Sequence, residues 1–170
     1  MNKCIFLDRD GVINIERGTY TWKLEDFEII PGVVETLQKL KKKGFLIVIV
    51  TNQSGISKGL FTKRDMEICH EYMMEKTNHL IDDIYYATYN PEYSKSLLRK
   101  PDSLMFEKAI AKYNIDTKQS WMIGDKERDI SPAIKLGIRT IFIGEKRESG
   151  KSDYFAANLQ KATDIINHNL

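Results

Sequence analysis

Cysteine is scarce in this chain. The two thiols, Cys4 and Cys69, form no metal-ligand pair and no disulfide framework. Cys4 falls in an expected strand and Cys69 in an expected helix, where each reads as a small buried apolar residue. Long apolar runs are missing too. No stretch reaches the length that spans a bilayer, and Met1-Asn2-Lys3 leads straight into a strand without a signal-peptide pattern. There is little excess charge of either sign: 26 Lys and Arg against 24 Asp and Glu leave a formal +2, too little to argue for nucleic acid. The Lys41-Lys42-Lys43 run stands at the end of an expected helix, where cations suit the helix dipole. No internal repeat, low-complexity tract or Pro/Gly-rich linker interrupts the chain. These absences lead to the expectation of a cytoplasmic protein that engages neither membrane nor nucleic acid, as a monomer or small homo-oligomer.

What is present suits a single domain over residues 1–170. Hydrophobic residues make up 42% and charged residues 29%, as in globular proteins, and the length allows a real core. Strand and helix patterns alternate. Residues 3–8 read as a short buried strand, and 32–43 as an amphipathic helix carrying Val33, Leu37 and Leu40 and ended by Gly44. The β-branched run FLIVIV at 45–50 suits a central parallel strand covered on both faces. Residues 62–79 are expected to be helical, with Thr62 as N-cap and Met66, Cys69 and Met73 on one stripe. Further strands are expected at 84–88, 121–124 and 139–143. A helix is expected at 102–114, the end of another at 131–137, and a last one at about 157–167. Residues 14–31 and 89–100 read as irregular. The pattern is that of an α/β, doubly wound (Rossmann-like) parallel sheet. Ligands of such sheets bind at the carboxyl ends of the strands.

Polar residues collect at those ends. The first strand finishes in Asp8-Arg9-Asp10-Gly11 and the second in Thr51-Asn52-Gln53. Arg99-Lys100-Pro101 lies between the third strand and its following helix, and Gly124-Asp125-Lys126-Glu127-Arg128-Asp129 follows the fourth. Taken singly, each could be a turn, a cap or a strand end. Gathered on one rim, they suit phosphoryl transfer. A carboxylate nucleophile splits a difficult hydrolysis into two easier steps, and oxygen ligands holding Mg²⁺ offset the charge of a phosphate dianion. Thr51 and Lys100 suit phosphate oxygens. Asp10, a second carboxylate, can protonate a leaving alkoxide and then deprotonate water.

These four segments, in this order, resemble the four motifs of the haloacid dehalogenase-like (HAD-like) phosphatase superfamily. The similarity is strongest to the branch containing D-glycero-D-manno-heptose 1,7-bisphosphate phosphatase and histidinol-phosphate phosphatase. It is carried by DRDGVIN (8–14), TNQSGI (51–56), RKP (99–101) and GDK (124–126). The resemblance implies that Asp8 is the nucleophile and Asp10 the general acid/base. It implies that Asp8, the Asp10 backbone carbonyl and Asp125 ligate Mg²⁺, with Asp129 supporting the metal from one layer out. Thr51, Asn52 and Lys100 would hold the phosphoryl group, with Arg99 and Lys126 near the substrate.

Cap domains of this superfamily are inserted after the first or second motif, and neither interval here is long enough for one. Recognition then falls to the loops 14–22, 54–61 and 89–99. Lys58 stands where the heptose enzymes have an Arg, which keeps the charge but loses bidentate phosphate binding. Many relatives bind zinc through a Cys/His cluster in the third loop. Here Tyr89-Asn90-Pro91-Glu92-Tyr93-Ser94 has neither residue type, so zinc is not expected. The leading expectation is a Mg²⁺-dependent phosphatase acting on a small phosphorylated metabolite, foremost a sugar phosphate such as D-glycero-D-manno-heptose 1,7-bisphosphate. Histidinol phosphate and a nucleic-acid 3′-phosphate are the alternatives within the superfamily. A haloacid dehalogenase needs neither Asp10 nor Mg²⁺. A receiver-type phosphoacceptor domain would carry its Asp after the third strand, where this chain has Ala87-Thr88-Tyr89.

Overall fold

The computed structural model describes residues 1–144 and 150–169. Residues 145–149 and 170 of the expected single domain therefore lie outside it. β1 (Cys4–Leu7) is followed by α1 (Val33–Lys42), β2 (Leu46–Asn52), α2 (Lys63–Lys76), β3 (Asp83–Ala87) and α3 (Leu104–Tyr113). Then come β4 (Trp121–Gly124), α4 (Glu127–Lys135), β5 (Arg139–Ile143), β6 (Tyr154–Ala156) and α5 (Leu159–His168). The six strands form one parallel sheet in the order β3-β2-β1-β4-β5-β6. Strand order reverses beside β1, so the crevice of an open α/β sheet opens between the ends of β1 and β4. Asp8 and Asp125 are the residues that follow those two strands.

Side chains alternate across β1. Ile5 and Leu7 join one core with Val33, Leu37, Leu40, Cys69, Met73, Leu159 and Ile166, so that α1, α2 and α5 cover one face. Cys4 and Phe6 join the other, with Met105, Phe106, Ala109 and Ala133 of α3 and α4. A strand buried on both faces must be apolar at every position, as the fully buried β1 is. Local signals set the helix ends. Gly44 takes φ +79 just past α1, a conformation glycine adopts without strain. Thr62 and Asp65 cap α2 reciprocally, Asp65 N–H donating to Thr62 Oγ1 at 3.2 Å and Thr62 N–H to Asp65 Oδ2 at 2.8 Å.

Two elements differ from the sequence pattern. α2 stops at Lys76 rather than 79, because Asn78 and His79 adopt left-handed φ of 52° and 54°. The strand β6 was not expected. Three residues carry too little alternation to register, and its partner β5 supplies the hydrogen bonds. Of the lysine run, Lys41 is not merely solvated: its Nζ lies 2.7 Å from Asp82 Oδ2. Among the described residues no helix is long and apolar enough to cross a membrane.

Phe106 is fully buried, its ring centroid 5.1 Å from that of Phe6. Phe106→Ala should lower unfolding free energy by about 3–5 kcal/mol, measured by urea denaturation.

Candidate active site

Asp8 leaves β1 with its backbone N–H donating to Ile123 O at 3.0 Å, which fixes it against β4. Its carboxylate meets Lys100. Lys100 Nζ lies 2.9 Å from Asp8 Oδ1 and 2.7 Å from Asp129 Oδ1, and it donates to Val50 O at 2.6 Å. A buried ammonium is unfavourable by several kcal/mol unless paired and hydrogen-bonded, and Lys100 is 1% exposed. Burial works against its charge, but Asp129 and Asp8 outweigh burial and hold its pKa above the ordinary value.

The Lys100 backbone is gripped as firmly as its side chain. Lys100 N–H donates to Asn52 Oδ1 and Asn52 Nδ2 donates to Lys100 O, both at 3.0 Å. The peptide to Pro101 is cis. The Asn52 amide, expected to hold a phosphoryl group, is thus engaged in placing Lys100. Thr51 is buried, and its Oγ1 accepts from Gln53 Nε2 at 3.0 Å.

Three carboxylates converge beside this lysine. Asp8, Asp125 and Asp129 each present an oxygen within 4.8 Å of the others. Burial first, then the Asp129 charge, push the pKa of Asp8 up to about 6, against the opposing pull of Lys100. Burial and the nearby Asp8 also raise Asp125. Asp125 Oδ2 sits 3.1 Å from Lys126 Nζ, while its Oδ1 is buried with no hydrogen-bond partner among the described residues. Clustered anionic oxygens, one of them unpartnered, fit a hard divalent cation such as Mg²⁺. Glycines make room for the cluster. Gly11 has φ +83, and a Cβ there would run into Asp125 Oδ2; a Cβ on Gly124 would run into Asp129.

Asp10 stands apart from the trio. Arg9 holds it in a fork, Nη2 donating to Oδ1 at 2.9 Å and Nε to Oδ2 at 3.2 Å. Asn14 Nδ2 donates to Oδ1 at 2.9 Å and Gln53 Nε2 to Oδ2 at 3.3 Å. Burial alone would raise the pKa of Asp10; the Arg9 guanidinium, with Asn14 and Gln53, overrides it and holds the carboxyl below its ordinary value.

Above these groups lies a pocket of about 470 Å³. Asp8 and Asp10 line it, as do Thr51, Asn52, Lys58, Arg99 and Lys126. Lys100 and Asp129 are buried behind the wall, and Asp125 borders a neighbouring cavity with Lys126. The structure also adds Glu16, Tyr20 and Arg128 to the lining, which sequence reasoning missed. Arg128 had a signal, since it lies inside the Asp125–Asp129 motif.

Two recognition loops are joined by aromatic rings. Phe61 lies 5.8 Å from Tyr20 and stacks on Trp22 at 6.0 Å, while Tyr20 Oη and Ser54 Oγ are 3.1 Å apart. The loop 89–99 is ordered by its own bonds. Buried Asn90 receives Tyr93 N–H at 3.0 Å and Ser94 N–H at 3.1 Å on its carbonyl, and donates to Glu92 Oε2 at 3.0 Å. Arg99 Nη1 closes the loop onto Tyr89 O at 3.2 Å.

Comparison with known proteins agrees with this geometry. Residues 8–143 match the family described as haloacid dehalogenase-like hydrolase. The chain belongs to that family. It is 38% identical to D-glycero-beta-D-manno-heptose-1,7-bisphosphate 7-phosphatase of Haemophilus ducreyi over 99% of this chain and 94% of that protein. It is 41% identical to the Haemophilus influenzae protein of the same name, over 82% of this chain and 79% of that one. A solved structure of D,D-heptose 1,7-bisphosphate phosphatase from B. bronchiseptica, complexed with magnesium and phosphate, superposes with TM-score 0.89 at 23% identity. Each of those two chains is covered to 99%. The fold of this hydrolase is the one those structures share.

Asp8 holds its proton more tightly folded than unfolded, the pKa moving from 3.8 to about 6. Its ionisation therefore opposes folding above pH 6, an effect that is absent below its ordinary value. In metal-free protein, Asp8→Asn should gain stability relative to the parent chain as pH rises through this range. The gain should shrink as pH falls from about 6 to about 4, read from urea midpoints across that range.

Proposed function

We propose that this HAD-like hydrolase is a Mg²⁺-dependent phosphatase acting on a small sugar phosphate through an aspartyl-phosphate on Asp8. Residues 1–170 would form one catalytic domain. The observation that carries the reading is the arrangement of Asp8. It is a buried carboxylate between a fixed ammonium and two further carboxylates, with a second acid, Asp10, held separately two residues on.

Mg²⁺ held by Asp8, Asp125 and the Asp10 carbonyl, with Asp129 behind, would neutralise charge between the nucleophile and a phosphate dianion. An Asp8 oxygen attacks phosphorus as the bond from phosphorus to the sugar oxygen breaks. Asp10 delivers its proton to the departing alkoxide. It then takes a proton from the water that attacks the aspartyl-phosphate, which releases inorganic phosphate and restores the Asp8 carboxylate. In the free protein Asp10 favours its anion, and an arriving phosphate dianion shifts it toward the protonated form that the first step needs. Lys100 steadies the Asp8 carboxylate throughout, and Thr51 donates to the phosphoryl oxygens once its hydroxyl turns toward them.

The first substrate to assign is D-glycero-beta-D-manno-heptose 1,7-bisphosphate. The names of the relatives support it, as does a pocket wall carrying Lys58, Arg99, Lys126 and Arg128, which suits a ligand with more than one anionic group. Near-neutral net charge and two buried thiols suit a soluble enzyme of cytoplasmic carbohydrate metabolism, working without nucleic acid or membrane.

Phosphate release should be fastest with the heptose bisphosphate in a panel that includes histidinol phosphate and hexose phosphates. Comparable slow rates on all of them would remove the heptose assignment. Asp8→Asn should lose activity by about 10⁴-fold or more. Chelation should abolish turnover and added Mg²⁺ should restore it. An Asp8→Asn enzyme at full rate would exclude the covalent route.

A further inference from the structure

The group that holds Asp10 is itself unusual. Arg9 follows Asp8 directly, yet its side chain is 1% exposed, a rare state for a guanidinium unless every face is met. Here four of its five N–H groups face acceptors among the described residues. Nη2 donates to Thr21 O at 2.8 Å as well as to Asp10, Nη1 faces His70 Nε2 at 3.4 Å, and the guanidinium carbon lies 5.4 Å from the Phe27 ring centre. Arginine has no lone pair to offer, so His70 Nε2 is the acceptor and its proton sits on Nδ1. Burial, with the Arg9 charge, pushes the pKa of His70 down to about 3, which keeps the ring neutral.

A carboxylate offers about four lone-pair sites. Asp10 receives four donors, two on each oxygen: Arg9 and Asn14 on Oδ1, Arg9 and Gln53 on Oδ2. The two contacts on Oδ1 are 2.9 Å, whereas those on Oδ2 are 3.2 and 3.3 Å. Oδ2 is the less firmly held oxygen. Its Gln53 donor also bonds Thr51 Oγ1 at 3.0 Å, the hydroxyl placed to meet a phosphoryl group. Thr21, whose carbonyl anchors Arg9, lines the pocket, as does Arg9 itself.

We infer that Arg9 is a positioning residue for proton transfer: braced by Thr21 and His70, it fixes where the Asp10 carboxylate points. This rests on the phosphatase reading above. The two steps that use Asp10, protonation of the alkoxide and deprotonation of water, both depend on where that carboxylate points. Attack by Asp8 does not.

The test compares a sugar phosphate with p-nitrophenyl phosphate, whose leaving group departs without needing a proton. Arg9→Lys keeps the charge and removes the fork. Its kcat on the sugar phosphate should fall about 10²-fold, with KM changed less than about threefold. The first-turnover burst of p-nitrophenolate should stay within about threefold of wild type, because that step does not draw on Asp10. His70→Leu touches neither Asp10 nor the pocket. It should reproduce the same selective loss at about threefold to tenfold, and His70→Gln, which restores an acceptor for Nη1, should recover it. Equal losses in the burst and in sugar-phosphate turnover, or no loss in either variant, would overturn the inference while leaving the phosphatase reading intact. A wild-type enzyme inert toward both substrates would overturn the phosphatase reading, and the inference with it.

Discussion

One buried ammonium organises this molecule. Lys100 Nζ sits between Asp8 and Asp129 and reaches the Val50 carbonyl, so a single side chain joins the end of β1, the strand β2 and the first turn of α4. Without it, carboxylates that lie within one metal-sized space would face each other unscreened. Such repulsion would have to be relieved by protonation or by opening the sheet. With it, the trio remains under-neutralised. That residual negative charge, together with the unpartnered Asp125 oxygen, is what gives a divalent cation a reason to bind. The site is thus balanced to hold its shape yet leave negative charge for a cation to offset. Active sites of this kind carry local instability by design.

Much of this was legible in the chain itself. A doubly apolar β1 and β2, Gly44 and Thr62 as punctuation, and polar residues confined to strand ends define both sheet and rim. They do so because the forces behind them act within a few residues. The rest depended on partners far away in sequence. Asn52 reads as a phosphate contact, and nothing around it signals that its amide also places Lys100, 48 positions later. The sequence around Arg9 carries no signal that His70 of α2 and the Thr21 carbonyl close around it. Nothing in three residues of β6 predicts a strand, because its bonds belong to β5. Arg128 and Glu16 lie within a motif and a loop the sequence singles out, but only the folded pocket shows that they line it.

The walls of the pocket are built from loops rather than from an inserted domain. Between Asp8 and Lys100 the chain spends its length on two helices and two strands of the sheet layer, β2 and β3. Selectivity therefore falls to segments such as the Tyr20–Phe61–Trp22 cluster, which ties the loops at 18–22 and 54–61 into one surface. The third loop is ordered by Asn90 and its turn, so the wall bearing Arg99 is fixed by hydrogen bonds along the chain.

That openness bears on where a phosphoryl group can go. The acyl phosphate proposed on Asp8 would have two acceptors to choose from, bulk water or the alcohol just expelled. A roof that trapped the alcohol would favour its return and so support isomerisation by transfer between hydroxyls. A rim formed, among the described residues, by loops would let the alcohol diffuse away while water is at hand. Such partitioning would favour release of the phosphoryl group to water over its return to the alcohol.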